Sequence, residues 1–348
     1  MTTIIIFAVV FSVLVFVHEL GHFLAARRAG VKIEEFAFGY PPRLLAIKRG
    51  GIDYALNLIP FGGYVRMAGE EDPSVPGSLA SRSPRQRAAV LVAGPAMNLL
   101  LAILLFALAF SQGVVVGVSP EISSITADSP AAKAGLQVGD RILAIDDHSV
   151  RYFADIRPLI GAKNGQAVKV TVSRNGQVQD YQVQPQYFEA ENRWVIGVVG
   201  NKPVKEYYPI WRVLFLAAGE TFKVMALTLY IPVAVLQGLI PAQSVQPIGP
   251  VGIAQATGEI ARLGLLPTLE FAAFLSVNLG IFNLLPIPAL DGGRLVFVIL
   301  EALRRGKRIA PEKEGLVHLL GLAALFTFLV AVSYFDLLRL FSGQRILP

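Results

Sequence analysis

The chain has 348 residues, of which 54% are hydrophobic and only 16% charged, and it carries a formal net charge of +6. Soluble proteins average about 25% charged residues, so this composition excludes a purely soluble enzyme, and its aliphatic content excludes disorder. It contains no cysteine, which removes a disulfide framework, a zinc ribbon and a thiol nucleophile. A basic chain would suit nucleic acid or anionic lipid, but in a membrane protein the placement of Lys and Arg matters more than their total.

A bilayer-spanning helix needs about 20 apolar residues. Residues 4–26 meet that length, interrupted by His18, Glu19 and His22. They lack a basic leader and hold three ionisable groups, so they predict a span, not a signal peptide. Residues 69–87, rich in Pro, Ser and charge, predict a loop, and residues 88–111 a second, charge-free span. Charges and turn signals return over residues 114–186. There, runs such as Val168-Lys169-Val170-Thr171-Val172 and the turn Arg174-Asn175-Gly176-Gln177 predict a folded soluble domain with a β-hairpin. Residues 224–240, after Arg212, Glu220 and Lys223 at helical spacing, fit either a span or an amphipathic helix at the interface. Residues 271–290, dotted with Asn278, Asn283, Pro286 and Pro288, predict a third span. Residues 315–335, with His318 alone interrupting them, predict a fourth.

Basic residues orient these spans. Arg27, Arg28, Lys32, Arg43, Lys48, Arg49, Arg66, Arg82, Arg85 and Arg87 lie between spans one and two. Arg294, Arg304, Arg305, Lys307, Arg308 and Lys313 follow span three. Both groups are expected in the cytoplasm, with the soluble domain and both termini outside. A crossing at 224–240 would carry the second group outside, so that segment is expected to lie at the interface.

The chemistry centres on His18-Glu19-Leu20-Gly21-His22. Residues i and i+4 share a helix face, so both imidazoles can bind one metal with Glu19 beside them. A pair of packing residues or a proton relay is the alternative, but three ionisable groups in hydrocarbon need a strong partner, and a metal ion supplies one. Zinc catalysis takes three protein ligands. His148 reads as a surface-turn residue and His318 as a bundle-facing one. Asp291, in Asn283-Leu284-Leu285-Pro286-Ile287-Pro288-Ala289-Leu290-Asp291-Gly292-Gly293, follows two prolines that break the helix, and taken alone reads as a capping or turn residue; beside an intramembrane HExxH that lacks a third ligand it is the better candidate for that place.

HELGH in the first span with NLLPIPALDGG late in the chain resembles the site-2 protease family of intramembrane zinc metalloproteases, in its bacterial PDZ-containing branch. Phe38-Gly39-Tyr40-Pro41-Pro42, the run from Pro60 to Met67, Ala93-Gly94-Pro95-Ala96-Met97-Asn98 and Gly249-Pro250-Val251-Gly252-Ile253 extend that resemblance over almost the whole chain. The resemblance implies Zn2+ held by His18, His22 and Asp291, with Glu19 as general base. It implies Asn278 and Asn283 as substrate contacts, and a membrane-embedded β-hairpin at Gly62-Gly63-Tyr64-Val65-Arg66-Met67 whose edge, with Gly62, Gly63 and Tyr64, pairs with an unwound substrate strand. Helix-packing asparagines and an ordinary cytoplasmic loop are the plain alternatives. Residues 129–145 resemble a PDZ signature, implying a domain that binds peptide ends by strand addition or gates access. One such domain is found, where some members of the family carry two.

The expected architecture is therefore a multi-pass α-helical membrane protein with four transmembrane helices, a membrane-embedded β-hairpin and an inserted α+β PDZ-like domain. Its parts are residues 1–112 with the first two spans and the hairpin, 113–200 as the extracytoplasmic PDZ-like domain, 201–265 as an interfacial helix and loop, and 266–348 with the last two spans. The expected activity is a zinc endopeptidase of the bacterial inner membrane. It would cut single-span proteins, such as anti-sigma factors or signal-peptide remnants, after a first cleavage. No nucleic-acid partner is expected. A PDZ-bearing adaptor with a structural metal site, or an ion transporter, would be the other classes, but Glu19 is intact and no inverted repeat is visible.

Overall fold

The computed structural model describes residues 2–70, 72–189, 192–242, 245 and 247–342. The chain forms two compact units, Met1–Phe110 with Ile210–Pro348 and, inserted between them, Ser111–Pro209. The first unit opens with helix α1 (Thr2–Arg28), which ends where Gly30 turns left-handed at φ +71, its last carbonyls next to Arg27 and Arg28. Two long strands follow, β1 (Ile33–Arg49) and β2 (Ile52–Met67), joined at Gly50 and Gly51. They bend so that β1 is flanked by both arms of β2: Phe36 stands opposite Val65 and Tyr54, and Ala37 opposite Tyr64 and Ala55. Phe36, Val65 and Met67 pack with Phe23 and Ala26 of α1 in one buried cluster. Glu35, 1% exposed, pairs with Arg43 and Arg66, which neutralise its charge. The hairpin runs along α1. Gly62, at φ +82, lies so close to Val15 that a Cβ would stand 2.8 Å from it, and its N–H donates to Ser12 Oγ at 3.3 Å. Helix α2 (Pro84–Phe110) returns beside α1, with Pro95 inside it.

The inserted unit comprises β3 (Val114–Val118), β4 (Ser124–Ile125), α3 (Pro130–Lys133), β5 (Arg141–Ile145), β6 (His148–Ser149), α4 (Ile156–Gly161), β7 (Val168–Arg174), β8 (Gln177–Val183), β9 (Gln186–Phe188), β10 (Arg193–Val195), β11 (Val198–Val199) and β12 (Pro203–Glu206). Its main antiparallel sheet has the order β6-β5-β7-β8. Val168, Val170 and Val172 alternate inward and are fully buried, packing with Ile122, Ile142, Ile145, Ile160 and Val183. Asn175 and Gly176 both have positive φ, the geometry of the tight hairpin turn expected from Arg174-Asn175-Gly176-Gln177. Strand β12 pairs with β3, so the first and last strands of the insert lie side by side and strand structure continues to Glu206.

The first unit resumes with α5 (Ile210–Leu236), α6 (Pro250–Ala261), α7 (Leu265–Leu284), α8 (Asp291–Leu303) and α9 (Pro311–Phe341). Among the described residues five helices, α1, α2, α5, α7 and α9, are long and apolar enough to cross a membrane, one more than the four expected spans. The extra one is α5, which begins fourteen residues before the expected segment 224–240. Arg212, Glu220 and Lys223 are accommodated within it, the last two as a 3.1 Å pair on adjacent turns. The expected third span, 271–290, is corrected: α7 stops at Leu284, because Leu285 precedes Pro286 and is forced into extended backbone. Helices α6 and α8, of 12 and 13 residues, are too short to cross a bilayer.

The packing of these helices sets their directions. Ser276 Oγ donates to the Asn98 carbonyl at 2.8 Å, and Gly280 lies against Pro95, so α7 runs antiparallel to α2. At the far end, Gly258 of α6 packs on Thr3 of α1. There too Asp336 of α9, 2% exposed, accepts the Gly252 N–H at 2.8 Å, satisfying the first turn of α6.

Candidate metal centre

Near the C-terminal end of α1 the rings of His18 and His22 lie on one helix face, both 6% exposed. Their Nε2 atoms stand 3.1 Å apart. Asp291 Oδ2 lies 3.1 Å from the first and 3.2 Å from the second. Three donor atoms therefore form a nearly equilateral triangle. Tetrahedral zinc at about 2.0–2.1 Å from each ligand requires neighbouring donors about 3.3 Å apart, so this triangle matches that ion closely. Two imidazole nitrogens and a carboxylate oxygen also suit zinc by ligand type. No other group of three His, Asp or Glu side chains among the described residues comes together in this way.

Each donor is delivered by a local feature of the sequence. His22 Nδ1 lies 2.8 Å from the Val90 carbonyl of α2. A carbonyl can only accept, so this contact places the ring proton on Nδ1 and leaves the Nε2 lone pair for a metal. Gly94 makes room for that ring: a Cβ there would stand 2.3 Å from His22 Nε2. One turn along α2, Asn98 reaches the other side of His18, with its Nδ2 3.1 Å from Nδ1. Asp291 opens α8 directly after a non-helical loop. Gly292 and Gly293 let that loop fold back on the first turn of α8, since Cβ atoms there would collide with the Leu285 and Ile287 carbonyls at 2.1 and 2.3 Å. Arg294, three residues into the helix, pairs with Glu70 just beyond β2.

Glu19 points to the hairpin: its Oε2 accepts the Val65 N–H at 3.1 Å. The base candidate is thus held by the strand that the sequence singled out, although its partner is Val65 and not the glycine pair. Gly63 lies against the Ala37 carbonyl, where a Cβ would stand 2.6 Å away, and Tyr64 stacks on Tyr40 with centroids 6.0 Å apart.

The two asparagines of α7 behave differently from the cluster. Five residues apart, they project about 140° from one another around the helix. Asn278 donates to the Phe274 carbonyl at 2.7 Å and accepts from Thr228 of α5 at 3.3 Å. Asn283 donates to the Leu279 carbonyl at 2.9 Å. His148 is exposed in β6, and His318 contacts the loop before Asp291 instead of the cluster, its Nδ1 accepting the Ala289 N–H at 2.9 Å. Gly94, Asn98, Val65 and His318 join the site through tertiary contacts that their sequence positions alone do not reveal. The first two lie in Ala93-Gly94-Pro95-Ala96-Met97-Asn98, where a small residue and a polar one at i and i+4 in an apolar helix marked the face.

Comparison with known proteins places this chain in a family. A family model described as Peptidase family M50 matches residues 6–328. A Clostridium acetobutylicum protein is 37% identical over 339 residues, 96% of either chain. The zinc metalloprotease RasP of Oceanobacillus iheyensis is 32% identical, covering 98% of this chain and 100% of its own length. The regulator of sigma-W protease RasP of Bacillus subtilis is 31% identical over 97% of this chain and 99% of its own. Among solved structures, the PDZ domain of an SdrC-like protein from Listeria monocytogenes covers 24% of this chain and 86% of its own at 24% identity, with a TM-score of 0.22.

Proposed function

The chain belongs to peptidase family M50, and from that premise we propose that it hydrolyses peptide bonds inside the membrane-spanning segments of other proteins. It is a zinc metalloprotease of the site-2 protease type. Our reading assigns His18, His22 and Asp291 as the ligands of that zinc and Glu19 as the general base. The observation that carries it is the 3.1–3.2 Å triangle of donors, two of them on a helix of spanning length and the third at the start of α8, with Glu19 on the same turn as the histidines.

When bound, zinc supplies a Lewis acid for the scissile carbonyl and acidifies the attacking water, lowering its pKa toward about 7. Glu19 takes the proton of that water and passes it to the departing amide nitrogen. The Val65 N–H on Oε2 holds the carboxylate in place for both transfers. A substrate helix must unwind first, and the edge of the hairpin at Gly62, Gly63 and Tyr64 offers backbone groups to the opened strand. Asn278 and Asn283 would assist by freeing their amides from their own helix.

The membrane topology we favour has four crossings. Helices α1 and α2 are antiparallel, and α6 lies at the Thr3 end of α1. The chain therefore makes no net crossing between Phe110 and α6, which supports an α5 that lies at the interface. With the basic residues cytoplasmic, the insert and both termini are extracytoplasmic at a bacterial cell membrane. Residues 113–200 act as a PDZ-like module for peptide ends, and the hairpin is embedded in the bilayer beside α1. Anti-sigma factors are the substrates we favour, because the Bacillus subtilis relative is named a regulator of sigma-W protease.

The test pairs metal content with cleavage of a tagged single-span substrate by the full chain in detergent. The parent should hold about one zinc and cut within the span. Glu19→Gln should keep zinc and lose cutting, and Asp291→Ala should lose or weaken both. Unimpaired cleavage by Glu19→Gln removes the proposed base. A metal-free parent that cuts nothing favours an adaptor.

A further inference from the structure

The geometry points to Asn98 as a positioning residue of the metal centre, one that orients His18 by accepting its Nδ1–H; this rests on the reading of His18 as a ligand through Nε2. Asn98 is 0% exposed in the middle of an apolar helix, where a polar side chain needs a reason. Its Nδ2 lies 3.1 Å from His18 Nδ1, while its Oδ1 is buried and has no hydrogen-bond partner.

An imidazole that binds a metal through Nε2 carries its proton on Nδ1 and must donate there. A carboxamide presents a donor on one arm and an acceptor on the other, and a half turn about χ2 exchanges them without changing its shape. Turned in that way, the Asn98 oxygen receives the His18 Nδ1–H, and a buried acceptor gains its partner. The two histidines then use parallel devices about two turns apart on α2. His22 donates to the Val90 carbonyl at 2.8 Å and His18 to the Asn98 side chain. The backbone of Asn98 is pinned as well, because its carbonyl accepts Ser276 Oγ at 2.8 Å. Asn98 therefore stands at a fixed height opposite His18 and acts on the metal through that ring.

The experiment is zinc titration of the metal-stripped full chain in detergent against a chromophoric chelator, comparing the parent with Asn98→Leu and Asn98→Asp. Asn98→Leu keeps the volume and removes the acceptor, and should weaken zinc binding about 10–100-fold. Asn98→Asp restores an acceptor and should bind zinc at least as tightly as the parent. A packing role predicts the reverse order, because a buried carboxylate is worse for packing than a leucine. Thermal midpoints of the metal-free proteins are read alongside, so that a loss of fold is separated from a loss of metal. If Asn98→Asp is not recovered folded, Asn98→Thr against Asn98→Val asks the same question without a charge, with tighter binding expected for Thr. Parent-like affinity of Asn98→Leu, no recovery in Asn98→Asp, or equal binding by Thr and Val overturns the assignment. Parent-like zinc affinity in His18→Ala would instead overturn the ligand reading beneath it.

Discussion

His318 of α9 accepts the backbone N–H of Ala289 through Nδ1 at 2.9 Å, although 29 residues separate them. Ala289 has φ +77, a left-handed conformation that L side chains avoid, and it lies two residues before Asp291. Gly321, one turn further along α9, takes Pro288 so closely that a Cβ would stand 2.2 Å from it. Helix α9 thus cradles the loop that presents Asp291. Replacing His318 by Leu leaves that N–H without its acceptor, at a cost of about 1–3 kcal/mol. Turnover of a single-span substrate should fall about 10–100-fold. His318→Asn, whose Oδ1 falls near the place of Nδ1, should retain most of it. Full activity in His318→Leu would show that the loop holds itself.

A second tie fixes the other end of α8. Arg87 of α2 and Glu301 of α8 form an ion pair at 2.5 Å, with side chains 10% and 7% exposed, and Arg308 adds a contact to Glu301 at 3.1 Å. Breaking a buried pair by removing one partner costs about 3–5 kcal/mol, whereas replacing both by apolar groups is often neutral. Glu301→Leu should lower the thermal midpoint in detergent, and Arg87→Met with Glu301→Leu should recover much of it. Equal midpoints for the parent and Glu301→Leu would mean that the pair carries no stability.

Gly94 tests the fit around His22. A methyl group there would need the space of the ring, which the Val90 carbonyl holds from the other side. Gly94→Ala should therefore displace Nε2 from the donor triangle. Displacements of about 1 Å at a reacting centre can cost on the order of 100-fold in rate, and a loss of this order is expected, with zinc content reduced and helix content by circular dichroism unchanged. Normal zinc binding in this variant would contradict the tight approach of α1 and α2.

In the inserted unit, Asp140 is 1% exposed and receives two 2.7 Å hydrogen bonds from Arg174 and the Gln137 N–H at 2.8 Å. Burial pushes its carboxyl up, but these hydrogen bonds and the Arg174 charge outweigh that and leave it below the ordinary aspartate value. Its folded pKa is thus below the unfolded one. The stability it confers is complete above about pH 4, the unfolded value, and is lost as pH falls through the depressed folded value. Hydrogen exchange in β5 and β7 of the full chain should show weaker protection below about pH 4, and Asp140→Asn should flatten that dependence. The same acid sensitivity in Asp140→Asn would assign it to other carboxylates.

Much of this protein is local in origin and therefore legible along the chain. Helices α1, α2 and α9 follow from apolar length, the β7–β8 turn from Asn175-Gly176, and the shared face of His18 and His22 from 3.6 residues per turn. The end of α7 is legible too, because Pro286 restricts Leu285 to extended backbone. Other features depend on residues far apart. Asp291 meets His18 across 273 positions, Arg87 meets Glu301 across 214, and Asn98 meets His18 across 80. No periodicity encodes these meetings. They arise because glycines at 94, 292 and 293 let backbone and rings approach, and because α1, α2 and α8 pack at heights that only the assembled bundle defines. Composition and spacing determined which groups were available for chemistry. Close packing of α1, α2 and α8 decided which of them share one site, since donor atoms must converge within a few tenths of an ångström to hold one ion.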